Sequence, residues 1–297
     1  MELQQMRYVI AVAETSSFTR AAERCLVVQS ALSHQIARLE RELGARLFDR
    51  TSRRVRLTPA GEAFLPAARQ AVNAAERAAA EVAAAVGEIR GRLAIGVIPT
   101  VAAFDIPAAL HAFRRRYPQV RIGLHVGASE LLVELVKEGA LEIAFLGLPP
   151  SARPEGVGSR LLAHDRLVAV VAPGHPLAGE TEVDLARLSS EVFVDKPAGT
   201  AGRLQSDQAF AAAGVHREVA FEVTDAGFTT RLIHQNLGIA LLPSAYTPHL
   251  TGVVTVPVSD APARNEHLIW NRSTLTPGAT AFLAELDIVI DQGAEGS

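Results

Sequence analysis

From Pro59 to Val86 the chain is committed to one long helix. Phe64, Ala68, Val72, Ala75, Ala79, Val82 and Val86 follow one another at steps of 4, 4, 3, 4, 3 and 4. That spacing makes a coiled-coil-like seam along one face. At 1.5 Å per residue the helix spans roughly 40 Å, and its seam outlasts any core nearby in the sequence. Such a stripe packs either on its own domain or on a second copy of itself, and its length favours a dimer helix. Pro66 sits early enough to be tolerated, with a bend. Gly87 and Gly91 close the segment. A fold built on this chain therefore has a head, residues 1–58, a linker helix, residues 59–90, and a body, residues 91–297.

The 297 residues suffice for more than one domain. Hydrophobic residues make up 48% and charged residues 21%, which excludes a disordered chain. No stretch is long and apolar enough for a membrane span, so no membrane partner is expected. The N-terminus, with Glu2, Arg7 and Glu14 among its apolar residues, lacks the layout of a secretory signal. Cys25 is the sole cysteine, and an internal disulfide needs two. A reduced, cytoplasmic setting follows as the expectation. The overall charge of -3 conceals an asymmetry. Residues 1–58 carry ten Arg against six acids, a net +4, whereas the linker carries -1 and the body -6. A basic head on an acidic body points the head at a polyanion.

Within the head, Leu3, Met6, Val9, Ile10 and Ala13 recur at helical spacing over residues 3–14. Ser17 is placed to cap a second helix, which packs Phe18, Ala21, Ala22 and Cys25. A third helix over about 29–42 buries Leu32, Ile36, Leu39 and Leu43, and Gly44 ends it as a left-handed cap. Only Leu26-Val27-Val28 joins the second helix to the third, which is a helix-turn-helix pattern. The open face of the third helix shows Ser30, Ser33, His34, Ala37, Arg38 and Arg41. Small and hydrogen-bonding residues at its N-terminal half suit a major groove. Gln29 is placed to pair with adenine edges, and His34 and Arg38 with guanine or phosphate. Phe48-Asp49-Arg50 and Val55-Arg56-Leu57 flank Thr51-Ser52-Arg53-Arg54 and read as a β-hairpin wing. Arg46, Arg50, Arg53, Arg54 and Arg56 fall within eleven residues, and in a wing they would lie over phosphates.

These residues carry a resemblance. Phe18-Thr19-Arg20-Ala21-Ala22-Glu23, Gln29-Ser30-Ala31-Leu32-Ser33-His34-Gln35-Ile36, Leu39-Glu40, Leu43-Gly44, Leu47-Phe48-Asp49-Arg50 and Leu57-Thr58-Pro59-Ala60-Gly61 are similar to the winged helix-turn-helix of LysR-type transcriptional regulators. The likeness extends more loosely over the whole chain. It implies a two-lobed α/β body like a periplasmic binding protein, a homotetramer made as a dimer of dimers, and bending of the bound DNA. One departure is Val28, where the family often has Ser or Thr. A lost cap costs ~1 kcal/mol, and the helix start can move to Ser30 instead.

In the body the pattern turns to strands at Leu93–Ile98, Val120–Val126 and Glu142–Leu148, with helices at 105–116 and 129–139 between them. Alternating strand and helix predicts a parallel sheet with right-handed crossovers. A second set follows, with strands near 167–172, 192–195, 218–223, 238–242 and 253–257 and helices near 203–213 and 225–236. Leu268–Asn271 gives another strand and 278–290 a last helix. The lobes are then about 91–161 with 266–297, and about 162–265. Parallel sheets bind ligands beyond the carboxyl ends of their strands, where helix N-termini gather. By carry-over from the family, an inducer sits between the lobes at such positions. Thr100, Ser129, Thr200 and Thr224 are the candidates, with Phe145 as an apolar wall and Arg203 as a source of charge. Asp195 and Lys196 rank below them, and Arg114-Arg115-Arg116 reads as a solvated helix end.

No G-x-G-x-x-G, P-loop or His-x-x-Glu-His pattern occurs, and the nine histidines are scattered. No catalytic set, metal site or cofactor is expected. The reading is a regulator that binds double-stranded DNA at a pseudo-palindromic operator and responds to a small, anionic effector. Two alternatives stay open. One is a ligand-independent DNA-binding regulator whose body only mediates oligomerisation. The other is an enzyme fused to a DNA-binding head.

Overall fold

The computed structural model describes residues 1–50, 55–272 and 275–290. The head comprises α1 (Leu3–Thr15), α2 (Phe18–Arg24) and α3 (Gln29–Leu43), followed by the short strands β1 (Phe48–Arg50) and β2 (Val55–Leu57). Val9, Val12, Ala21, Leu32, Ile36 and Leu39 meet in its core. Burial of each large aliphatic side chain there contributes about 1.5–3 kcal/mol. The Ser17 hydroxyl accepts from the Arg20 amide and caps α2. Leu26 takes a left-handed φ of 56° to turn the chain sharply into α3. The helix starts at Gln29, not at Ser30, with Val28 in the cap position and no side-chain cap bond. Gly44 closes it at φ 68°. One Glu40 carboxylate oxygen accepts from the amides of Leu47 (2.8 Å) and Phe48 (3.3 Å), so α3 holds the start of the wing. Antiparallel pairing of Phe48 with Leu57 and Arg50 with Val55 makes the hairpin.

Helix α4 (Pro59–Ala85) runs unbroken through Pro66, and Thr58 caps it. The predicted seam divides into two halves. Phe64, Ala68 and Val72 pack on Met6 and Ile10 of α1, within the same chain. Beyond them Ala79 is exposed, and Val82 and Val86 are 69% and 74% exposed, while Ala80 and Ala83 are the buried positions. The first half of the stripe is thus consumed by the head. Only its distal part is open for a second copy.

The body begins with β3 (Gly91–Val97), α5 (Ile106–Arg116), β4 (Val120–Val126), α6 (Ser129–Lys137) and β5 (Ile143–Leu148). Strands β4 and β5 flank β3, both parallel to it. The chain then enters β6 (Gly158–Val171), α7 (Leu185–Leu188), β7 (Val192–Asp195), α8 (Ala201–Ala212) and β8 (Glu218–Glu222). After these come α9 (Ala226–His234), β9 (Ala240–Pro243), β10 (Val254–Val256), β11 (Ala263–Trp270) and α10 (Pro277–Glu285). The main sheet runs β10-β6-β11-β5-β3-β4, with β9 also on β6.

The expected parallel sheet is therefore mixed, because β11 is antiparallel to both β5 and β6. Strands β6 and β11 are both longer than their periodicity suggests. β6 has 14 residues instead of the six expected near 167–172, and β11 starts at Ala263, five residues before Leu268. The cause is in the residues. Arg264, Asn265, Glu266 and His267 interrupt the apolar pattern, yet all four are buried. Together β6 and β11 run from one lobe into the other. Lobe I is cored by Leu93, Ile95, Phe113, Phe145 and Phe282, and lobe II by Val171, Leu177, Phe193, Phe210 and Ile239.

Candidate functional site

Two places gather chemistry. The first is the open face of α3. Gln29, Ser30, His34 and Arg38 are exposed there, Ser33 is half-buried, and Leu32, Ile36 and Leu39 face inward. A 3.6-residue period sorts these residues to opposite sides of the helix. Polar side chains of graded length thus stand on the N-terminal half of a helix backed by a rigid core. Arg50 ends β1, and the exposed Arg46 and Arg56 flank it. Arg53 and Arg54 lie outside the described residues.

The second place is the cleft between the lobes, a cavity of about 450 Å3. Its lobe I wall is the turn after β3 with Thr100, the start of α6 with Ser129 and Glu130, and Gly147. Its lobe II wall is Lys196 after β7, the start of α8 with Thr200 and Gly202, and Thr224 after β8. Strand ends and helix starts meet because right-handed crossovers bring every helix N-terminus to the same sheet edge. Ile98, Val126, Leu131, Leu167 and Leu241 supply an apolar lining.

Four of the six expected cleft residues line the cavity, namely Thr100, Ser129, Thr200 and Thr224. Their hydroxyls have different employments. Thr200 caps α8, since its Oγ1 accepts from the Arg203 amide and donates to the Pro197 carbonyl. Ser129 is inside α6, and its Oγ accepts from the Gly147 amide and donates to the Gly147 carbonyl. Thr224 is exposed, and the cap of α9 falls to Asp225.

Phe145 and Arg203 are not on the cleft wall. Phe145 shares a strand face with Gly147 but sits one rung deeper. Its ring lies in the lobe I core, edge-on to Phe104 at 6.2 Å between centroids. Arg203 turns along α8, where its Nε donates to both Asp207 oxygens at 3.0 Å. Its Nη1 donates to Glu222 at 3.1 Å and to the Lys196 carbonyl at 3.2 Å. Its charge is spent within lobe II.

The cleft holds groups that the periodicity did not single out. Arg264, 5% exposed, donates from Nη1 to Thr100 Oγ1 at 2.9 Å and from Nη2 to the Thr100 carbonyl and Glu266, each at 3.1 Å. Glu266 in turn accepts from the amides of Ala102 and Ala103. This buried pair fixes the turn that carries Thr100. Burial lowers the Arg264 pKa, and Glu266 opposes that shift. Arg264 also stands against Gly147, where a Cβ would come within 2.4 Å of its Nε. The Glu130 carboxylate crosses the cleft and accepts from the Ala201 amide. Gln205 donates to the Ala263 carbonyl. The available signal was the run of four polar residues in one strand, of which Arg264, Asn265 and Glu266 are paired while both ring nitrogens of His267 are buried without a partner. Among the described residues no group of three or more His, Cys, Asp or Glu is placed to hold a metal ion. None of the described helices is long and apolar enough to cross a membrane. Burial raises the Cys25 thiol above its ordinary pKa, against the pull of Arg24.

Two family models cover this architecture. Residues 3–62 match the bacterial regulatory helix-turn-helix protein of the lysR family, and residues 87–288 match the LysR substrate binding domain. The chain belongs to the LysR family. Among its relatives, the HTH-type transcriptional regulator ShiR of Corynebacterium glutamicum (strain R) is 36% identical, over 98% of this chain and 99% of that protein. The HTH-type transcriptional regulator BudR of Raoultella terrigena is 34% identical, over 95% of this chain and 99% of its own length. The solved structure of full-length CbnR complexed with its target DNA is 25% identical, with a TM-score of 0.67, and covers 97% of this chain and 99% of that one. A full-length OxyR variant from Pseudomonas aeruginosa shares the fold at 23% identity, with a TM-score of 0.70, over 96% and 94% of the two chains. This LysR-type protein is thus a DNA-binding transcriptional regulator with an effector-binding body.

Proposed function

We propose that the protein switches transcription in response to a small anionic effector held between its lobes. Thr100, Ser129, Thr200 and Thr224 would offer it hydroxyls. The observation that carries this reading is the cavity of about 450 Å3, lined by helix starts from both lobes and of a size suited to a small molecule. An effector that prefers one lobe spacing shifts the protein toward that state by its differential affinity alone.

On DNA, two copies joined along the distal part of α4 present two α3 helices to half-sites about one turn apart. Gln29, Ser30, Ser33, His34 and Arg38 read base edges, and Arg50, Arg53 and Arg54 hold phosphates. Two dimers on neighbouring sites make the working tetramer and bend the DNA between them. Such a protein works in the cytoplasm, where its operator is.

The test is a footprint on the DNA upstream of its own gene, with full-length protein at two salt concentrations. Protection of ~50 base pairs or more with a hypersensitive centre is expected, weakening steeply with salt. Protection no different from random DNA would count against an operator there. A ligand-dependent rise in melting temperature separates an effector-controlled body from one that only assembles the oligomer.

A further inference from the structure

Every carboxylate on the cleft wall has a partner. Glu130 holds the Ala201 amide, and Asp225 accepts from the Phe228 amide at 2.6 Å. Beneath the wall, Glu266 is bound to Arg264. The exception is a cation. Among the described residues, the Lys196 Nζ has neither a hydrogen-bond acceptor nor an ion-pair partner, although Lys196 lines the cavity and is half-buried. Neighbouring Asp195 is committed elsewhere, to Arg217 at 2.6 Å and to the Lys196 backbone amide at 2.7 Å.

The lysine tail lies against the first turn of α8. A Cβ on Gly202 would come within 2.9 Å of its Cδ and 3.0 Å of its Nζ. The absent side chain at Gly202 therefore gives the ammonium its place beside the helix start. The amide of Gly202 itself has no acceptor, since α8 begins one residue earlier and Glu130 occupies only the Ala201 amide. An ammonium and a helix-start amide thus face one cavity, otherwise walled by Ile98, Val126, Leu131, Leu167 and Leu241.

We infer that the effector is a monocarboxylate with an apolar body, its carboxylate on Lys196 Nζ and the Gly202 amide and its body against the aliphatic wall. This deepens the effector reading above and rests on it. One unmatched cation calls for one anion, because an apolar effector body strips water from the ammonium, and an unpaired charge out of water is costly. A second carboxylate would meet Glu130 and Asp225 at the same wall, so a dicarboxylate is disfavoured. Burial holds the free lysine below its ordinary pKa; Asp195 and Glu130 pull it back up and Arg264 pushes it further down. A bound carboxylate acts in the opposite sense and keeps it charged.

The test is calorimetric titration of the full chain with matched probes. These are butyrate, hexanoate, benzoate and phenylacetate, the amide of each, and succinate and phthalate. At least one monocarboxylate should bind, with its own amide and both dicarboxylates at least tenfold weaker. Lys196→Met should erase the preference for carboxylate over amide, and Lys196→Arg should keep part of it. Gly202→Ala should weaken the carboxylate several-fold while leaving the melting temperature of the free protein unchanged or higher, since it displaces only a flexible tail. Lack of binding by every monocarboxylate overturns the proposal, as does equal binding of acid and amide or an unchanged preference in Lys196→Met. Tighter binding of an amide or a dicarboxylate that is lost in Ser129→Ala would overturn the ligand class and leave the cleft as the effector site. Monocarboxylate binding that is indifferent to both Ser129→Ala and Lys196→Met would place the ligand elsewhere and overturn both readings.

Discussion

The first turn of α3 lacks a side-chain cap. Val28 occupies the cap position with φ -73° and ψ 143°, an extended geometry that a serine would share. Val28→Ser should therefore supply the missing cap bond and stabilise the head by about 1 kcal/mol. Slower amide exchange in the first turn of α3 and a higher urea midpoint would show it, and an unchanged midpoint would contradict it. His34→Ala should weaken binding to a selected operator more than to random DNA, since a base contact carries about 1–3 kcal/mol of discrimination. Arg53→Ala, from its place in the basic run between Arg46 and Arg56 of the sequence, should weaken both alike and flatten the salt dependence by about one unit of slope. Equal losses for the two variants on both DNAs would remove α3 from the role of reader. At this scale the sequence was most informative where periodicity sorts residues, as on α3. It failed at Phe145, because a β-strand tells which face a side chain takes but not how deep along that face the cavity begins. The surroundings of Lys196 were not legible either, because its place on the cavity wall depends on the absence of a Cβ at Gly202, across a turn.

At the scale of elements, α4 shows how a correct pattern can serve two partners. The seam was legible as a period, but a period does not name the surface that covers it. Met6 and Ile10 of α1 take the first half, and Val82 and Val86 remain exposed. Val82→Glu should therefore loosen self-association while leaving the fold of the single chain intact. Sedimentation at micromolar concentration should show a shift toward monomer, and an unaltered oligomer would exclude this end of α4 from the interface. Strand β11 was half hidden for the opposite reason. Its buried Arg264, Asn265 and Glu266 look like a loop by composition, and only their partners, Thr100, His164 and Ala102 among them, make them tolerable inside a sheet. Pairing of that kind joins residues more than a hundred positions apart, beyond any local window.

At the scale of the whole molecule, the joint between linker and body holds a buried carboxyl, from which a pH response is expected. Glu142 sits where α4 meets lobe I, in a recess shared with Asn73, Glu76, Arg92 and Thr276. Burial pushes its carboxyl up to about 8, against a hydrogen bond from Thr276 and the charge of Arg92. A carboxyl raised in the folded state binds its proton more tightly there than in the unfolded chain. Its stabilising contribution is complete below the ordinary carboxyl pKa and is lost as pH rises through about 8. The slope is bounded by about 1.4 kcal/mol per pH unit. Glu142→Gln should flatten the fall in stability between pH 5 and 8, read as melting temperature against pH; a parallel curve would rule the group out. The two lobes have their own relation. The chain leaves lobe I along β6 and returns along β11, where Arg166 stands opposite Ala263 and Gly158 opposite Trp270. Exit and return are neighbours in one sheet, roughly 5 Å apart. Lobe II is in this sense a cassette, held among the described residues by two adjacent main-chain crossings. Exchange of that cassette between related genes would need only two junctions in register, so a lineage could acquire a new chemical sense while keeping its operator and its assembly.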